Sequence, residues 1–210
     1  MFNQLITDGI VPKKLIQIAG PPNSGKTTIL YNLCAYLPSN SKALIFDCEI
    51  KFSSERLIEV INNKQRRIDL RNIIIIRLYN IKEQFKSIMC AHKYTQQNTF
   101  SFIAINGITD HFRPLNISEK TFGVKRVFAM QLAYLRYLSN QIKIPVIFTN
   151  QIVESKNLEN KFIPVLNNTV NLYSDHKIVV SRVSGQLFKA TENNKEYFYT
   201  ITKSGIQIMK

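Results

Sequence analysis

Short apolar runs alternate along this chain with stretches whose apolar positions recur at helical spacing. Leu15 to Ala19 (LIQIA) reads as a buried strand, and Gly20-Pro21-Pro22 ends it because proline cannot continue a ladder. From Lys26 to Leu37, the residues Ile29, Leu30, Leu33 and Leu37 recur at steps of three and four, which predicts a helix closed by Pro38. Ala43 to Phe46 (ALIF) predicts a second strand, tipped by Asp47-Cys48-Glu49. Ser53 or Ser54 is placed to cap a helix running through Ile61, with Glu55 in its first turn.

The same alternation continues. Ile73 to Leu78 predicts a third strand, Ile81 to about His92 a helix, and Phe100 to Ile105 a fourth strand followed by a loop with Gly107 and Pro114. Phe122 to Ile142 is a long amphipathic helix, and Pro145 to Thr149 a fifth strand ending in Asn150-Gln151. Residues 152–171 are polar and read as loop. Three alternating runs follow, Lys177 to Ser181, Gln186 to Thr191 and Tyr197 to Thr202, joined by turn signals at Ser184-Gly185 and Asn193-Asn194. The expected fold is α/β: a mostly parallel central sheet with helices on both faces and a C-terminal antiparallel extension. Ligands of such sheets bind beyond the carboxyl ends of the strands, where the polar clusters fall.

The length of 210 residues suits a single domain spanning 1–210. No run of about 20 apolar residues occurs, so no membrane span is expected. The opening MFNQLITDG lacks the pattern of a secretory signal, which points to the cytoplasm. Cys34, Cys48 and Cys90 are odd in number and widely spaced, as buried reduced thiols are, and His92, His111 and His176 form no ligand pattern with them. Lys and Arg number 28 against 14 Asp and Glu, a net charge of +14. A surplus of that size attracts polyanions, so nucleic acid is the first candidate partner. A merely basic surface, inflated by AT-rich coding, gives the same count.

Gly20-Pro21-Pro22-Asn23-Ser24-Gly25-Lys26-Thr27 fits GxxxxGK(S/T), followed by Thr28. Glycines let the backbone turn its N–H groups inward, and these donors with the following helix N-terminus make an anion cradle. Lys26 is expected to reach the terminal phosphates of a nucleoside triphosphate, ATP first, and the Thr27 hydroxyl to meet Mg²⁺. The motif lies between a predicted strand and a predicted helix, as that mechanism requires.

Hydrolysis needs a group to activate water and a metal clamp. Glu49, at a strand tip, is the candidate base, with Asp47 as a second polar residue there. The fourth strand ends in Asn106, where such a strand ordinarily carries an aspartate. Its neutral oxygen gives the Mg²⁺ site one negative charge fewer, which predicts slow turnover with binding retained. Asp110, four residues on, is the residue that could compensate. Gln151 is the candidate sensor of the γ-phosphate.

These landmarks together resemble the RecA/RadA recombinase family, most of all the short archaeal RadA paralogues of the RadB type. The resemblance runs through Gly9-Ile10, LIQIAGPPNSGKTT (15–28), FDCEIKFSSERL (46–57), IPVIFTNQ (144–151) and YTITKSGI (199–206), and covers nearly the whole chain. It implies a RecA-type P-loop core in recombinational DNA repair, with Lys26 and Thr27 as phosphate and Mg²⁺ ligands, Glu49 as the water-activating acid and Gln151 as the γ-phosphate sensor. It also implies DNA contacts, single-stranded DNA first, from the loops after Asn106 and Gln151, with Arg113, Lys120, Lys156 and Lys161 as the candidates. The chain departs from the family at Asn106 (usually Asp) and at Ile50 (usually Gly). With the core strand almost at its start, it is expected to lack the helical DNA-binding domain and the linker through which RadA subunits polymerise. An accessory role beside a RadA-type recombinase or another paralogue is therefore expected, with weak DNA-associated ATPase activity. A nucleotide-gated binding module with vestigial hydrolysis is a second reading. A P-loop kinase for a small acceptor is a third, but the basic cluster Lys64, Arg66, Arg67 and Arg71 reads as a solvated face rather than a lid.

Overall fold

The computed structural model describes residues 12–96, 99–115, 122–154 and 162–209. At its centre is β1 (Leu15–Gly20), buried at every position. Successive side chains of a strand point to opposite faces, so Ile16 and Ile18 enter one hydrophobic core while Leu15 enters the other. The next strand, β2 (Lys42–Asp47), divides likewise, Ala43 and Ile45 against Leu44 and Phe46. A sheet packed on both faces accounts for the near-continuous apolar runs.

Helix α1 (Lys26–Ala35) packs on the first face with α2 (Ser54–Asn63). Ser53 caps α2, its side chain accepting the Arg56 N–H at 3.1 Å, with Glu55 in the first turn. Beyond β3 (Ile73–Arg77), α3 (Ile81–Met89) begins at Asn80, whose side chain accepts the Glu83 N–H at 2.9 Å. Glu83 reaches back to the Tyr79 N–H, a reciprocal cap. The single helix expected from Ile81 to His92 is two, because Cys90 leaves helical geometry before α4 (Ala91–Thr95). Strand β4 (Phe100–Asn106) precedes α5 (Phe122–Ile142), which packs on the second face through Phe128, Leu132, Leu135 and Leu138.

The fifth strand, β5 (Val146–Glu154), runs further than its apolar part. It pairs with β6 (Phe162–Pro164) antiparallel, Ile152 opposite Pro164, and α6 (Asn167–Tyr173) follows. The expectation of loop throughout 152–171 is thus corrected. Then come β7 (His176–Ser184), β8 (Leu187–Glu192), β9 (Lys195–Thr202) and β10 (Gly205–Ile208). The sheet order is β10-β9-β8-β7-β1-β5-β4-β2-β3. Strands β7, β1, β5, β4, β2 and β3 are parallel neighbours, and the antiparallel extension begins at β8, one strand later than the sequence runs suggest.

Candidate functional site

The parallel register brings four strand ends together. Gly20 lies opposite Gln151, Ala19 opposite Asn150, and Asp47 opposite Asn106. Gly25 takes the left-handed conformation (φ 87°), which glycine adopts without steric cost, and starts α1 without a side-chain cap. The first-turn amides of α1 are therefore available to an anion. A cleft of about 410 Å³ opens here, lined by residues 22–28 with Tyr31, Glu49, Lys51, Gln151, Phe188 and Ile201. That volume lies within the range of roughly 300–1,000 Å³ typical of small-molecule sites.

Lys26 is 6% exposed, and its ammonium donates to Gly20 O at 2.9 Å and Pro21 O at 2.7 Å. Burial lowers its pKa, while Glu49 and Asp110 oppose the shift. The Thr27 hydroxyl donates to Asn106 Oδ1 at 3.1 Å. Thr149, on β5, gives its hydroxyl to the same oxygen at 3.3 Å and accepts the Gly107 N–H at 2.7 Å. Asn106 Nδ2 donates to Asp47 Oδ1 at 2.9 Å, and Asp47 Oδ2 accepts the Phe52 N–H at 2.9 Å. Asp47 and Asn106 are both fully buried.

Glu49 borders the cleft beside Gly107, whose φ is +75°. Burial raises its pKa, the Asp110 carboxylate adds to the rise, and Lys26 and Lys51 oppose it. Asp110 is raised by burial too, with Arg113 and Lys51 pulling the other way. Asp110 faces inward: Gln151 Nε2 donates to its Oδ1 at 3.5 Å, and Arg113 stands 3.8 Å from the same oxygen. Glu49, Lys26 and Asp110 are thus within electrostatic reach of one another.

Of the four candidate DNA contacts, Arg113 stands in a single 3₁₀ turn, half exposed and beside Asp110. Lys120, Lys156 and Lys161 lie outside the described residues. The roots of the two loops are bonded together: Thr109 gives its hydroxyl to Asn150 Oδ1 at 2.7 Å, and Asn150 Nδ2 donates to Val165 O at 2.9 Å. Lys64 and Arg66 lie over the Tyr36 ring, away from the cleft. Cys34 and Cys48 are buried free thiols and Cys90 is half-buried. Burial pushes the Cys48 thiol up, which makes it unreactive.

Sequence reasoning missed Thr149, Lys51 and Tyr31. The Tyr31 hydroxyl accepts the Ser53 N–H at 2.8 Å and ties α1 to the segment carrying Glu49. The apolar run ending in Thr149 signalled its position, but nothing local signalled its partner.

A glycine-flanked loop between a buried parallel strand and a helix, with acidic and amide groups on the neighbouring strand tips, defines a P-loop core of the RecA type. The family model for Rad51 matches residues 1–207, and the chain belongs to that family. It is similar to proteins called DNA repair and recombination protein RadB. The one from Thermococcus kodakarensis is 30% identical over 153 residues, 72% of this chain and 67% of the relative. That from Thermococcus onnurineus is 31% identical over 155 residues (72% and 66%), and that from Methanocaldococcus jannaschii 30% over 160 residues (75% and 74%). The matched span is about two thirds of the length of the two Thermococcus relatives. Among the described residues, no helix is long and apolar enough to cross a membrane.

Proposed function

We propose that this chain binds ATP with Mg²⁺ in residues 20–28 and acts in the cytoplasm as an accessory RecA/RadA paralogue in homologous recombination and DNA repair. The observation that carries the reading is the start of α1 set against the end of β4: Lys26 is held by the Gly20 and Pro21 carbonyls, and the Thr27 hydroxyl is bonded to Asn106. Main-chain amides and the Lys26 ammonium receive the polyphosphate. The donor set suits a hard cation, since it offers oxygens only. Among the described residues, no cluster of three His, Cys, Asp or Glu makes a different metal cage. Thr27 Oγ and Asn106 Oδ1 would hold Mg²⁺, Asn106 through water, and the ion would stabilise charge on the transferred phosphoryl group. Glu49, whose raised pKa gives it appetite for a proton, accepts one from the attacking water. Gln151, bonded to Asp110, links the terminal phosphate to the loop that carries Arg113.

The neutral Asn106 favours slow hydrolysis. It also keeps in play a second reading, in which nucleotide gates partner binding and hydrolysis is vestigial. Net charge and the RadB-type relatives support DNA as partner, single-stranded first, alongside a RadA-type recombinase or another paralogue. The test pairs a fluorescent nonhydrolysable ATP analogue with DNA binding in a salt series. Lys26→Ala should weaken analogue binding at least about tenfold, and DNA affinity should fall steeply with salt. Unchanged analogue affinity in Lys26→Ala would end the phosphate assignment, and no DNA binding at low salt would end the repair reading. DNA-stimulated phosphate release separates an ATPase from a gate.

A further inference from the structure

Asn106 is held by chemistry that permits one orientation. A carboxylate only accepts hydrogen bonds, so the amide nitrogen must face Asp47. The oxygen is then turned to the Thr27 and Thr149 hydroxyls. Thr149 already accepts the Gly107 N–H, which leaves its own proton for Asn106. Asp47 is fixed from its other side by the Phe52 N–H and is completely buried, at a position directly opposite Asn106 in the parallel register. A hydrogen bond to a carboxylate polarises the amide and enriches its oxygen in negative charge.

We propose that Asp47 and Asn106 act as one unit: Asn106 presents the cation-facing oxygen, and Asp47 supplies its charge and orientation from the adjacent strand. Asp47 is a positioning residue, acting through Asn106. The proposal rests on the nucleotide-site reading above.

Donor and acceptor matching makes the claim testable by exchange. In Asn106→Asp two carboxylates face each other and can pair only by taking up a proton, which costs stability at neutral pH. In Asp47→Asn one of the two acceptor positions becomes an NH₂ and meets either the Phe52 N–H or the Asn106 NH₂. In the double variant Asp47→Asn with Asn106→Asp every donor again meets an acceptor: the amide at position 47 accepts from Phe52 and donates to the carboxylate at position 106, which accepts both threonine hydroxyls.

Wild type, both single variants and the exchange variant are compared in two ways. The first is thermal stability without nucleotide. The second is the ratio of affinities for a fluorescent nonhydrolysable ATP analogue in Mg²⁺ and in EDTA. Both single variants should melt below wild type, and the exchange should melt above either. Asp47→Asn should cut the Mg²⁺-to-EDTA ratio about tenfold, the usual effect of losing a group that orients a metal ligand. The exchange should return the ratio to the wild-type value or above. An Asn106→Asp variant as stable as wild type, an exchange no better than the worse single variant, or an unchanged ratio in Asp47→Asn overturns the unit. If wild type binds no analogue, the nucleotide reading fails, and the melting comparison, which needs no nucleotide, still decides whether the two residues are paired.

Discussion

Gly107 and Glu49 stand in direct contact: a Cβ added to Gly107 would lie 2.3 Å from Glu49 Cγ. The backbone at Gly107, with φ at +75°, is also one that L side chains resist. Gly107→Ala should therefore push the Glu49 carboxylate out of place. The expected outcome is analogue binding close to wild type, turnover reduced on the order of 100-fold, and a stability loss of about 1 kcal/mol. Titration with the fluorescent analogue, single-turnover phosphate release and denaturant melts would separate these effects. Wild-type turnover in Gly107→Ala would remove Glu49 from the mechanism.

The same carboxylate sets a pH dependence. Burial and Asp110 raise the pKa of Glu49 in the folded protein. The folded state then holds more protons than the unfolded chain between the ordinary carboxylate range and the raised value, so stability falls as pH rises through that window. Glu49→Gln removes the penalty. Its melting temperature should exceed wild type by roughly 2–4 °C at neutral pH, with the gain shrinking below the ordinary carboxylate range. A gain that stays constant as the pH is lowered would show that the effect is not electrostatic.

Tyr31 joins α1 to the acid-bearing segment through the Ser53 N–H. Tyr31→Phe keeps the ring against Phe52, 4.5 Å between centroids, and removes the hydroxyl, which accepts from Ser53 and donates to Lys51 O at 3.5 Å. Leaving that half-buried amide unsatisfied should cost about 1–3 kcal/mol. Urea unfolding measures it. A midpoint equal to wild type would mean that water replaces the hydroxyl without loss.

Gln17 sits in the middle of β1, fully buried, and among the described residues neither end of its side-chain amide has a partner. A polar group without a partner in an apolar layer is destabilising, by about 1–3 kcal/mol in protein mutational series. Gln17→Met preserves the shape and should raise stability by about 1 kcal/mol or more. A loss of stability in urea melts would point to a bond that the amide makes in solution.

Much of this molecule is legible from its residues because its order is local. The apolar runs at 15–19, 43–46 and 100–105 can only be buried strands, and the helical spacing from Phe122 to Ile142 matches the observed helix. The glycine loop carries its geometry in its own letters. What escaped depends on distant partners. The pairing of Asp47 with Asn106 joins residues 59 apart in the chain and is set by the register of two strands. The inward turn of Asp110 is fixed by Gln151, 41 residues away. The β5–β6 hairpin escaped because backbone bonds hold it, so it shows no apolar alternation, and Leu166 then enters α6 from a left-handed conformation.

Asn150 spends both ends of its amide as a rivet, one on Thr109 and the other on Val165. Two segments that chain order separates, at Thr109 and at Val165, are thereby tied to a single interior side chain. Any change that moves Asn150 therefore breaks or shifts a bond at both places at once.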